Sequence, residues 1–259
     1  MDEFHLTGSP DSSSLILLCD SDLGEKTDED DEEGGIVDTN VAFLHINGGW
    51  ADELFLQDIR DELRGEGDHE FPIISQFLDS RNAFVSVLMN SRGGLSSIEE
   101  DIIELLRLGK NRDWHTQAIV GGQACSAAAQ VVIAAQQMYM PRNARIAFHY
   151  GVSTNEEVGS SSQLVDNSLY ESLSRMRRLS SDAVSFNRSV VEKRFREVLD
   201  RPNVTTDDWI TFTGEELQQA NVARGITFNE LSHAVDEARL PEDHQYELDA
   251  FLRAAKAHQ

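Results

Sequence analysis

The chain has 259 residues, a 40% hydrophobic share, and 46 acidic against 22 basic residues for a formal net charge of −24. That length and apolar content suffice for one large α/β domain or two small ones. The negative field repels phosphates, so the attraction that drives binding to nucleic acid or to an anionic membrane is missing.

The charge is unevenly placed: residues 1–40 carry 13 acids against one lysine, half of the total. The block TDEDDEEGG (27–35) is too charged to bury enough apolar surface to offset its ordering entropy. Residues 1–38 are therefore expected to form an acidic, solvated, disordered arm. SLILLC (14–19) is too short and too acid-flanked for a signal peptide or a membrane span. The two cysteines, Cys19 and Cys125, form no spaced framework, which suggests a reducing compartment and a cytoplasmic location.

Order is expected from Val41, where VAFLHI reads as a buried strand and ADELFLQDIRDEL repeats Phe55, Ile59 and Leu63 at helical spacing. A second unit follows: the β-branched run FVSVLMN (84–90), the turn SRGG, and LSSIEEDIIELLRLG with Ile98, Ile102, Leu105 and Leu106 on one helical face. A third begins with HTQAIVGG and continues into AAAQVVIAA. MYMPRNARIAFHYG then predicts two short strands around the turn at Pro141-Arg142-Asn143. Strand alternating with helix is the pattern of a mainly parallel α/β sheet.

From Ser160 to Leu199 the spacing predicts a long helical arm with Leu164, Leu169, Leu173, Met176 and Leu179 as its apolar stripe, projecting or packed on another subunit. Beyond a Pro turn, WITF predicts a strand, and TGEEL a helix capped by Thr213 that ends near Gly225. Residues 227–259 read as one or two amphipathic helices.

Three pieces carry chemistry. Ser126 in GGQACSAAAQ sits where a small-residue turn enters a helix, so its hydroxyl and the Ala127 amide lie at the positive end of the helix. A serine becomes a nucleophile only beside a base and oxyanion donors. Asn90-Ser91-Arg92-Gly93-Gly94 ends a strand with paired glycines, whose amides approach a ligand closely. His149 ends the strand IAFH, where strand ends of an α/β sheet converge on a site. Taken singly, these read as a capping serine, a βα turn and a structural histidine.

Together and in this order they resemble the Clp protease proteolytic subunit family, ClpP, over about residues 41–226. NSRGG matches the family's Asn-Ser-Pro-Gly-Gly turn with Arg92 in the proline's place, and GQACS matches Gly-Gln-Ala-Ala-Ser with Cys125 for an alanine. MPRNARIAFH matches the stretch that leads to the family's base. The resemblance implies a ClpP/crotonase-like spiral of βα units with a projecting helical arm, divided into the acidic arm 1–38, a peptidase domain 39–226 and a C-terminal helical extension 227–259.

It further implies Ser126 as nucleophile, His149 as general base, and the amides of Gly93 and Ala127 as the oxyanion hole. The family's acid falls in TTDDWITFTGEELQQANV, where a strict count back from Thr213 lands nearer Thr205. Asp207 is the chosen acid, with Asp208 second and Asn203 third. The implied activity is ATP-dependent serine endopeptidase cleavage of unfolded proteins or peptides inside a stacked-ring homo-oligomer served by an AAA+ unfoldase. No cofactor and no metal are expected. The alternatives are a catalytically weak ClpP-like partner subunit, a ClpP-like viral head-maturation protease, and a crotonase-type enzyme acting on coenzyme A thioesters. The arm and the insertion GEGDHEFPIISQF (65–77) are not family features.

Overall fold

The computed structural model describes residues 2–7, 14–20, 40–50, 83–94, 99–100, 102–104, 106–107, 115–149, 168–201, 208–237 and 245–259. Within them the chain is a mixed α/β protein built on one curled sheet of nine strands. The strands are β1 (Asp2–Thr7), β2 (Ser14–Asp20), β3 (Asn40–Trp50), β4 (Ala83–Gly94), β5 (His115–Cys125), β6 (Gln137–Met140), β7 (Arg145–Phe148), β8 (Ile210–Thr213) and β9 (Arg224–Gly225). The helices are α1 (Ala127–Val132), α2 (Ser168–Leu179), α3 (Ala183–Arg188), α4 (Val190–Leu199), α5 (Gly214–Gln219), α6 (Phe228–Glu237) and α7 (Gln245–Ala257).

β3, β4, β5, β6 and β9 run parallel, and β1 and β2 add an antiparallel pair at the β3 edge. The sheet forks at β5. Its first half, Gln117–Ile119, pairs with β6, while Gln123–Cys125 pairs with β7. β8 returns antiparallel along β7, with Phe148 opposite Ile210.

Both faces of the central strands are covered, which explains why FVSVLMN reads as a nearly continuous apolar run. Period-two alternation sends Val85, Val87, Met89, Ala118 and Val120 into the larger core, together with Ile102, Ile103 and Leu106 from the preceding helical residues. Leu88 and Ile119 point the other way and meet Leu231, Phe251 and Ala255 of the C-terminal helices. Gly121 is required there: a Cβ on it would stand 2.6 Å from the Phe251 ring.

Several expectations are corrected. The segment predicted as a long helical arm, projecting or packed on another subunit, forms α2, α3 and α4 where it is described. Asp182 stops helix propagation and caps α3 through the amides of Val184 and Ser185, and Ser189 caps α4. These helices do not project as an arm. Leu169, Leu173, Met176, Phe186, Val191 and Phe195 are buried in the same core as β4 and β5. SRGG is the end of β4, paired with β3, rather than a separate turn. The helix after Thr213 ends at Gln219, and Gly225 belongs to β9.

Within the expected arm 1–38, β1 and β2 are strands, and SLILLC supplies most of β2. The acidic block 27–35, the predicted helix after Trp50 and the insertion 65–77 lie outside the described residues. Among the described residues, no helix is long and apolar enough to cross a membrane.

Candidate active site

The site is assembled by strand register. β5 ends at Cys125 opposite Ala147 of β7, and the next amide, that of Ser126, donates to the Ala147 carbonyl at 2.8 Å. His149 lies two residues beyond Ala147, just past the end of β7. Its Nε2 stands 2.7 Å from Ser126 Oγ. If the serine hydroxyl is the donor, Nε2 is the acceptor and the ring proton resides on Nδ1.

Ser126 has φ 56° and ψ −126°, a backbone conformation that favours glycine. The surroundings hold it there. Its amide is tied to β7, and its carbonyl accepts from Ala129 and Gln130 in the first turn of α1. The helix that follows opens with Ala127, Ala128 and Ala129 and is buried along its whole length. The sharp strand-to-helix turn presents the hydroxyl to His149.

β4 supplies the third side. Gly93 has φ +86°, and a Cβ on it would stand 2.9 Å from Ser126 Cβ and 3.0 Å from the Ala127 amide nitrogen, besides striking the Cys125 carbonyl. Only glycine lets these backbones approach so closely. The Gly93 amide donates to Ser91 Oγ at 3.0 Å, inside the buried end of β4. The Ala127 amide is the first of α1 and has no intrahelical acceptor. Asn90 Oδ1 accepts from the Gln123 amide at 3.3 Å where the β4–β5 register slips.

The base rests on a rigid platform. Phe148, immediately before His149, is buried against Phe195 of α4 and Phe212 of β8, with ring centroids 5.4 and 6.5 Å away. One residue before β8, Trp209 packs on the imidazole itself, centroids 4.3 Å apart and planes inclined at 36°. Sequence reasoning assigned Trp209 no role. The available signal was register: once β8 pairs antiparallel with β7, the residue before Ile210 falls opposite the residue after Phe148.

Burial pushes the Cys125 thiol above its ordinary value, and the charge of Arg92 acts in the opposite direction. Cys125 is thus a neutral neighbour of the serine at physiological pH. The expected acid Asp207 lies outside the described residues. Asp208, second choice, accepts from Arg201 Nη1 at 3.0 Å in a half-exposed ion pair. Asn203 also lies outside the described residues. The structure thus brings together Ser126, His149, Gly93 and Ala127, and adds Trp209.

No protein-family model matches the chain, and no curated protein matches it in sequence. Among solved structures, the chain is similar to a ClpP1 mutant from Listeria monocytogenes, at 16% identity and TM-score 0.40, over 71% of this chain and 90% of that one.

Proposed function

We propose that the chain is a ClpP-like serine endopeptidase, with Ser126 as nucleophile and His149 as general base. The observation that carries this reading is the 2.7 Å approach of His149 Nε2 to Ser126 Oγ, at a serine held in a glycine-type backbone conformation. Neither feature is needed by a serine that merely caps a helix.

In the reaction, Ser126 Oγ attacks the scissile carbonyl as His149 Nε2 takes its proton. The tetrahedral oxyanion is received by the Ala127 amide and by the Gly93 amide once the latter leaves Ser91 Oγ. The same proton passes to the departing amine, leaving an acyl-serine. Water, deprotonated by His149, then releases the acid. Asp207 is the proposed acid behind Nδ1, with Asp208 as its alternate. Unfolded proteins or peptides are the substrate class, and the proposed setting is a cytoplasmic stacked-ring homo-oligomer served by an AAA+ unfoldase. The proposed division along the sequence is an acidic segment 1–38, which contributes β1 and β2 to the sheet, the peptidase domain 39–226 and the C-terminal helices 227–259.

A second reading is a catalytically weak ClpP-like partner subunit. Two observations favour it: the Gly93 amide is engaged by Ser91, and the Asp208 carboxylate is engaged by Arg201. The test is covalent labelling with a fluorophosphonate probe. The endopeptidase reading requires labelling in wild type that is lost in Ser126→Ala. An assembled wild type that takes no label supports the partner-subunit reading instead.

A further inference from the structure

We propose that Trp209 is the positioning residue for the His149 imidazole, fixing the ring plane in which Nε2 meets Ser126 Oγ. The inference rests on the reading of His149 as the base. It is drawn from the stack itself, centroids 4.3 Å apart and planes inclined at 36°, and from the way both backbones are anchored.

A histidine ring turns about its Cβ–Cγ bond in a broad well, so backbone placement alone does not fix where Nε2 points. The imidazole of His149 emerges at the end of β7, where the strand no longer constrains it. The indole adds a restraint on the ring plane by covering one face of the ring. Rotation of the imidazole away from Oγ would drive its edge into the indole.

The indole is itself well placed to act this way. Ile210 follows it, is buried, and pairs with buried Phe148 in the β7–β8 ladder. The residues directly before His149 and directly after Trp209 are therefore locked together. Trp209 remains 48% exposed, so it is no core side chain retained for burial alone. Its π face also lies where positive charge forms when the imidazole takes the serine proton, an arrangement that attracts a cation. The other titratable or charged groups near the site are Cys125, next to Ser126 in the chain and acted on by Arg92, and Asp208, next to Trp209 in the chain and held by Arg201.

The experiment combines a spectroscopic and a kinetic readout on the full chain. The ring carbons of histidine are labelled with carbon-13, and the His149 signal is assigned by its loss in His149→Ala. An indole over the ring shifts its ring protons upfield. Trp209→Leu, which keeps apolar bulk at this half-exposed position, is expected to remove that shift, and Trp209→Phe to retain part of it. With a fluorogenic peptide, Trp209→Leu should lower kcat about tenfold or more with KM unchanged, and Trp209→Phe should recover most of the loss.

A His149 signal that stays in place in Trp209→Leu overturns the proposal. So does a signal that moves while kcat holds, or a loss confined to KM. A wild type that neither hydrolyses peptide nor takes a serine label overturns the peptidase reading, and any role for Trp209 in turnover with it. The resonance shift is then the independent record of whether the stack exists.

Discussion

Ser126 occupies a backbone conformation that costs a non-glycine residue on the order of 1–3 kcal/mol. Two variants that both lack the hydroxyl isolate this cost. Ser126→Gly should be more stable than Ser126→Ala by about 1 kcal/mol in urea denaturation, although glycine ordinarily loses more entropy on folding. Gly93 gives the opposite case. A methyl group there meets backbone atoms and Ser126 Cβ, none of which moves independently, at a φ of +86°. Gly93→Ala should reduce kcat at least about a hundredfold by displacing the oxyanion donors, and should lower the urea midpoint. Both residues were conspicuous in the sequence, because a serine among small residues and a pair of glycines after a strand are local signals. Trp209 was not. Its neighbourhood with His149 arises from pairing across 60 residues of chain, which no local spacing reports. Asp207 stays where the sequence left it, as the proposed acid.

The capping box of α5 ties together two elements near the site. Glu216 accepts from the Thr213 amide at 3.0 Å and from both terminal nitrogens of Arg194 on α4, at 2.6 and 2.9 Å. Burial pushes its carboxyl up, but the hydrogen bonds from Arg194 and Thr213 outweigh burial and hold it below its ordinary value. A carboxyl whose folded value is depressed contributes stability that is complete above its unfolded value and is lost as pH falls through the folded one. Glu216→Gln should therefore be less stable than wild type at neutral pH, and the difference should shrink below the ordinary carboxylate range, as followed by circular dichroism during acid titration.

The TGEEL signature was legible because a cap and its acid lie three residues apart. The breaks inside 160–199 were harder to read. Asp182 and Ser189 act as caps, yet no glycine or proline follows the apolar stripe between Leu179 and Leu199, so no strong breaker marks these stops in the sequence. Averaged charge concealed β2 in the same way, because SLILLC is a short apolar run inside an acidic segment.

At the scale of the molecule, the α/β class and the order of strands from β3 to β8 followed from alternation and turn residues. The fork at β5 did not. It depends on where β6 ends and β7 begins relative to a partner distant in sequence. The C-terminal helices were read as amphipathic without a destination. The structure gives them one, on the face of β4 and β5 opposite α1. Phe251 is fully buried there against Gly121, so Phe251→Ala should cost about 3–5 kcal/mol, measured by denaturant unfolding. A chambered peptidase also requires assembly, so light scattering should give a mass several times the 28.9 kDa of one chain. A monomer would contradict the chamber.

The most direct test of the central claim is hydrolysis of a fluorogenic short peptide by the purified full chain beside Ser126→Ala, with the mass recorded on the same samples. The wild type should turn the peptide over and Ser126→Ala should not, at unchanged assembly. Equal turnover by the two proteins, or none from an assembled wild type, would contradict that claim.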